Sequence, residues 1–234
     1  MGLKERWEAA CAEVAAACEK YGRDAREVKV LAVSKTVEAP VIAEAISCGM
    51  TDFGENRVKP FAEKRGLYPR ARWHFIGSLQ SNKAAKVAGA AHLVHSLDHD
   101  SLLCALERAA AAKGVVQDVL VEVSVAGEVS KGGVPAADLP AFLERVAAAS
   151  HLRCRGLMTM APRGDARVAR ETFEGLRKLA ENMAQRYGGH DTISMDELSM
   201  GMSEDYEQAI AEGSTMVRIG RRIFSEDFRP LARS

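Results

Sequence analysis

From about residue 28 to residue 219 the chain alternates short β-like runs, several of them mostly apolar, with stretches whose apolar positions recur every three to four residues. An apolar run of four to eight residues predicts a buried strand, and the longer period predicts an amphipathic helix. Strands are expected near Val28 to Val33, Thr51 to Gly54, Trp73 to Ile76, His92 to His95, Val116 to Val123, Arg153 to Met158, Thr192 to Leu198 and Met216 to Ile219. Helices are expected over Val41 to Ser47, Val58 to Arg65, Asn82 to Ala88, Ser101 to Ala112, Leu139 to Ala149, Arg167 to Tyr187 and Glu204 to Glu212, with an extra helix over residues 3 to 21. Eight strands, each followed by a helix, predict a closed parallel α/β architecture, a single (β/α)8 TIM barrel. One domain over residues 1–234 is expected, with the helix of residues 1–21 packing on the barrel. An open doubly wound sheet is the competing topology, but no G-x-G-x-x-G follows the first strand.

The composition agrees with one barrel. A chain of 234 residues with 47% hydrophobic content can bury one sizeable core and does not need two domains. Lys and Arg number 32 and so do Asp and Glu, so no electrostatic footprint for nucleic acid or an anionic membrane is present. The five cysteines are scattered and contain no C-x-x-C pair, which argues against a disulfide framework or a zinc site. Cys11 and Cys18 share a helical face with Trp7, Val14 and Tyr21 and read as core. Neither a secretory leader nor a membrane-spanning run is evident, and a cytoplasmic location is expected.

Lys35 is the most informative residue. It follows the apolar strand Val30-Leu31-Ala32-Val33 and Ser34, where a strand opens into a loop. A lysine there either ends a strand with its head in water or serves as an amine that captures a carbonyl as a Schiff base. A second constellation, Leu198 to Asp205 and Ser214 to Arg221, leaves the seventh and eighth strands, where barrels often bind phosphate. Gly201 and Gly220 would permit close backbone approach, and Ser203 reads as a helix N-cap, a hydroxyl donor, or both. Barrel closure sets strand eight beside strand one, so Gly220 and Lys35 should emerge together on one rim. A phosphate cup beside a carbonyl-capturing lysine suits pyridoxal 5′-phosphate (PLP), and sugar-phosphate Schiff-base aldolases share the logic.

Other residues carry weaker signals. His92, His95 and His99 invite a metal reading, which the opposite strand parity of His92 and His95 disfavours. His74, between Trp73 and Phe75, reads as a core or supporting histidine. The irregular stretches Ala126 to Pro135, with Lys131-Gly132-Gly133, and Ala161 to Gly164 should be loops on the C-terminal rim.

Val33-Ser34-Lys35-Thr36, Phe53-Gly54-Glu55-Asn56, the run Trp73 to Lys83, Gly156 to Met160, Leu198 to Ser203 and Met216 to Phe224 together resemble the pyridoxal phosphate homeostasis family (YggS/PROSC type). The resemblance runs in order along nearly the whole chain. It implies a barrel like the N-terminal domain of alanine racemase, with PLP held covalently on Lys35. It further implies Ser203 and the Gly220 and Arg221 amides around the phosphate, Arg218 at the pyridine nitrogen and Asn56 near the ring edge. Two positions depart from the family pattern: Arg221 stands where Ser or Thr is more usual, and Ser225 where glycine is usual.

The expected function is a PLP-binding protein of intracellular vitamin B6 homeostasis, without evident catalytic turnover. Apo PLP-dependent enzymes are the possible protein partners, nucleic acid and membrane are not expected, and the monomer is the expected state. The alternative is a PLP-dependent amino-acid racemase, which needs an acid/base on each face of the substrate carbon. That reading lacks the additional C-terminal domain supplying the second group, because about a dozen residues follow the eighth strand. A protein-interaction barrel with vestigial PLP is a third possibility.

Overall fold

The computed structural model describes residues 1–125 and 132–228. Eight parallel strands carry the fold: β1 (Lys29–Val33), β2 (Asp52–Glu55), β3 (Arg72–Phe75), β4 (Leu93–Leu97), β5 (Gln117–Ser124), β6 (Leu152–Met158), β7 (Ile193–Met202) and β8 (Met216–Ile219). Each pairs with its neighbours in sequence, and β1 pairs with β8, so the ring closes. Closure fixes the register Lys29 to Met216, Val30 to Val217, Leu31 to Arg218 and Ala32 to Ile219. Val134–Pro135 adds a two-residue strand on β5. The expected (β/α)8 barrel is the observed one.

Helices α1 (Leu3–Lys20), α2 (Ala39–Ser47), α3 (Val58–Leu67), α4 (Asp100–Ala112), α5 (Leu139–Ala147), α6 (Ala166–Arg186), α7 (Tyr206–Ala211) and α8 (Arg221–Phe224) accompany the strands. Most strand residues are buried because each strand lies between helices and lumen. The N-terminal α1 lies against the helices that follow β7 and β8. Arg6 donates to the Ile223 carbonyl at 2.8 Å, Lys20 pairs with Glu207 at 2.5 Å, and Arg222 pairs with Glu13. Cys18 is buried on this face and Cys11 half-buried.

Three expectations change. The helix read over Asn82 to Ala88 is a 3-10 helix, Ser81–Lys86, a form common in short connections. Strand β7 runs on to Met202, so Ser199 to Met202, read as loop, are ladder residues. The helix expected from Glu204 starts at Tyr206, because Asp205 Oδ1 accepts the Met202 amide at 2.5 Å and holds a turn first.

The main core lies between strands and helices. Inside the barrel, Leu31, Leu93, Leu120, Met158 and Met216 form a small second cluster against Ile76. Below and beside it runs a polar chain. Arg72 clamps Asp52 with hydrogen bonds of 2.8 and 2.6 Å, and Asp52 Oδ1 lies 3.2 Å from His74 Nε2. His74 Nδ1 is 3.0 Å from His95 Nε2, His95 Nδ1 is 2.9 Å from Ser199 Oγ, and Arg218 Nη1 donates to that Oγ at 2.7 Å. An ionised Asp52 can only accept, so His74 Nε2 carries a hydrogen. With both histidines neutral, the consistent assignment is that Ser199 donates to His95, His95 to His74, and His74 to Asp52.

The electrostatics agree. Burial pushes both imidazoles below their ordinary value, His95 the further. Burial alone would raise Asp52, yet the hydrogen bonds from His74, Arg72 and Thr51 outweigh it and hold the carboxyl well below the usual range.

A second buried pair braces the rim. Lys64 Nζ reaches Glu55 Oε1 at 2.5 Å and the Ser34 carbonyl at 2.8 Å, while Ser34 Oγ donates to the same Glu55 oxygen at 2.7 Å. Among the described residues Glu55 Oε2 has no hydrogen-bond partner. These contacts pin the peptide just before Lys35 to the end of β2.

Two stability predictions follow from these buried groups. Lys64→Met should cost about 3–5 kcal/mol, because it strands a buried carboxylate; urea unfolding measures this. His95→Ala should cost about 2–4 kcal/mol at pH 7.5, from the cavity and the orphaned His74 and Ser199. Because the folded imidazoles resist protonation, their share of wild-type stability is full above the unfolded value near pH 6.5 and declines as pH falls through it. Urea midpoints at pH 7.5 and 5.5 should therefore differ less in His95→Ala than in the wild type.

Candidate functional site

The carboxyl ends of the strands open into a cleft of about 1110 Å³, and its walls include Lys35, Asn56, Ser203, Arg218, Gly220 and Arg221. All six residues singled out in the sequence therefore share one cavity. Their chain positions span nearly the whole barrel, and closure of β1 on β8 brings the first beside the last.

Lys35 sits in the turn after β1, exposed, while Ser34 beside it is fully buried. Among the described residues no hydrogen bond or ion pair engages its ammonium. The pinned Ser34 carbonyl sets where the side chain leaves the backbone. Asn56 follows β2 and packs on Gly77, where a Cβ would fall 2.3 Å from the Asn56 carbonyl oxygen. Only glycine permits that approach.

Gly220 ends β8 against β1, and a Cβ there would lie 3.1 Å from the Val33 carbonyl oxygen. Gly201, expected to serve a ligand, does not line the cleft. Its φ of +91° and the absence of a side chain instead admit α7, since a Cβ would meet Ala209 Cβ at 2.6 Å. Ser203 is not an N-cap, because Asp205 occupies that position. It is 4% exposed, and among the described residues its hydroxyl has no partner, so its one open side faces the cleft.

Arg218 is 5% exposed and held from below. Nη1 donates to the Ser199 carbonyl and hydroxyl, each at 2.7 Å, and Nη2 donates to the Thr159 carbonyl at 2.9 Å. Among the described residues, Nε–H and one N–H on Nη2 of its five have no partner. Burial lowers its pKa, with Asp205 and Glu122 opposing that shift. Arg221 adds no free charge to the cleft: its guanidinium pairs with Glu204 at 2.6 Å and lies over the Phe228 ring.

The structure adds residues that the sequence reading overlooked. Asp98, at the end of β4, and Glu122, in β5, also line the cleft. Glu122 carried a signal, as the one charged residue in the apolar run Val119 to Val123. Tyr21 and Tyr206 line the cleft as well. His99, considered for metal, pairs with Asp98 at 2.5 Å, and His92 is exposed. No group of three or more His, Cys, Asp or Glu among the described residues is arranged to hold a metal ion. Lys131, a candidate ligand contact, lies outside the described residues.

The donor set suits a phosphorylated carbonyl compound. Among the described residues, an amine without a partner, a buried hydroxyl without a partner and a guanidinium with two uncommitted N–H groups line one space. Residues 11–226 match the family model of the alanine racemase N-terminal domain. A pyridoxal phosphate homeostasis protein of Aquifex aeolicus is 39% identical over 229 residues, covering 97% of this chain and 99% of its own. A protein of unknown function from Bifidobacterium adolescentis superposes with a TM-score of 0.89 at 35% identity, over 95% of this chain and 94% of that one. PipY of Synechococcus elongatus, solved with PLP bound, superposes with a TM-score of 0.81 at 32% identity, over 95% of this chain and 100% of that one. With its closed barrel and this cleft, the chain belongs to the pyridoxal phosphate homeostasis protein family, built on the alanine racemase N-terminal fold.

Proposed function

We propose that this protein binds PLP as a reversible Schiff base on Lys35 and keeps it available to other proteins, without turning over a substrate. One observation carries the reading: the Lys35 ammonium, without a partner among the described residues, shares a cleft with the Ser203 hydroxyl and with Arg218. When bound, PLP supplies an aldehyde that exchanges reversibly between amines. Lys35 is the tether. Ser203 and the Gly220 and Arg221 amides receive the phosphate, and Asn56 borders the ring.

Arg218 faces the ring nitrogen. Locked to Ser199 and Thr159, it presents a cation that cannot give up its proton, so it donates to an unprotonated nitrogen and disfavours protonation there. The ring is then a weaker electron sink than one paired with a carboxylate, which suits holding rather than carbanion chemistry. The reading includes a single barrel domain, a monomer in the cytoplasm, and apo PLP-dependent enzymes as recipients.

Lys35→Ala should stay folded yet lose the borohydride-reducible adduct, measured by absorbance and peptide mapping after reduction. An adduct at wild-type stoichiometry in that variant, or rapid α-deuterium exchange into alanine by the wild type, would overturn the reading.

A further inference from the structure

Glu122 is the group in the cleft that neither the phosphate cup nor the lysine tether uses. It lies in β5 opposite Met158 of β6, is 7% exposed, and lines the same cavity as Lys35. Among the described residues its carboxyl makes no hydrogen bond or ion pair. A carboxyl on a residue more than nine-tenths buried, set in the wall of a ligand-sized cleft, is costly unless a partner completes it. Asp98 stands nearby on the same wall, with Oδ1 taken by His99. The cleft therefore has two chemically distinct parts: hydroxyl and guanidinium donors around Ser203 and Arg218, and a carboxyl acceptor at Glu122.

We propose that Glu122, backed by Asp98, forms a subsite for a primary ammonium group whose carbon carries no carboxylate, such as the end of a lysine side chain, and accepts its proton. This rests on the PLP reading above, and names the chemistry of the group that takes the cofactor away. An ammonium has no lone pair and cannot attack a carbonyl carbon. Once one proton has passed to the Glu122 carboxylate, the neutral nitrogen can form a C–N bond to the carbon held by Lys35. The bond from that carbon to Lys35 then breaks, and Lys35 leaves as an amine that recovers the proton. Atoms, charge and electrons balance without any oxidant or reductant.

The two carboxyls also explain the preference for the simple amine. An amino acid would bring its own carboxylate against Asp98 and Glu122, and like charges repel in a partly desolvated site. Burial raises Glu122 to about 7, with Asp98 adding to the shift and Arg218 of β8 opposing it. A carboxyl at that value both accepts and returns a proton near neutrality.

The test has two arms. In the PLP-free wild type, the Glu122 carboxyl carbon is followed by NMR against pH, with and without ethylammonium chloride. The expected titration midpoint lies near 7 and falls by roughly half a pH unit with the ammonium, since a bound cation favours the carboxylate. In the PLP-loaded protein, loss of the Lys35 adduct to ethylamine is timed by absorbance and normalised to adduct content. Glu122→Gln should slow it at least about tenfold and remove its rise near pH 7, as loss of a proton acceptor requires. L-Alanine should react more slowly than ethylamine in the wild type. A midpoint indifferent to ethylammonium, or equal rates in wild type and Glu122→Gln, overturns the subsite alone. Failure of the wild type to form any adduct on Lys35 overturns the PLP reading as well.

Discussion

Everything in this molecule depends on the pairing of β1 with β8. Four residues of each strand lie in register, from Lys29 opposite Met216 to Ala32 opposite Ile219. Because the strands are parallel, their carboxyl ends leave on the same rim, and Lys35 emerges beside Gly220 despite the chain length between them. The contact is too tight for a side chain at residue 220, where a Cβ would sit 3.1 Å from the Val33 carbonyl oxygen. An open sheet of the same strands would leave Lys35 and the Gly220 loop at opposite edges.

A closed barrel must also fill its interior, and this one does so in two ways. Aliphatic and methionine side chains occupy one layer, while a hydrogen-bonded chain from Asp52 through His74, His95 and Ser199 to Arg218 occupies the rest. A buried guanidinium and a buried carboxylate are tolerated because each is satisfied by protein groups and linked by neutral, correctly oriented donors. Arg218 is satisfied locally by Ser199 and Thr159, with Asp205 and Glu122 opposing the effect of its burial, and among the described residues two of its N–H groups stay available to the cleft. Rigidity at Lys35 arises differently, through the Lys64 and Glu55 pair holding Ser34. Both devices support cleft residues from beneath without entering the cleft.

The strands and most helices were legible because periodicity reports burial directly: a strand enclosed on both faces reads as an apolar run, as Val30 to Val33 does. Element ends were less legible. Ser199 to Met202 looked like loop for want of a continuous apolar run, yet the ladder to β6 and β8 continues through them. Ser203 looked like an N-cap because its residue type favours caps, but Asp205 reached the Met202 amide first. Gly201 looked like a ligand contact, and its missing side chain instead makes room for α7. The six site residues came partly from position at strand ends and partly from family resemblance. Glu122 was passed over as one charge in an apolar strand.

By itself the sequence determined the number of strands, their alternation with helices, and the presence of a lysine and a glycine-bearing loop at the two ends of the ring. Those features depend on local periodicity and residue type, which act over a few neighbours. Tertiary structure alone decided that His95 meets His74 and Ser199, that Arg221 pairs with Glu204, and that Glu122 is left unpaired among the described residues facing the lysine's cleft. Each of these turns on contacts between residues on different strands or loops. Whether a polar group is satisfied or left open is a property of the space around it, and that space exists only once the barrel has closed.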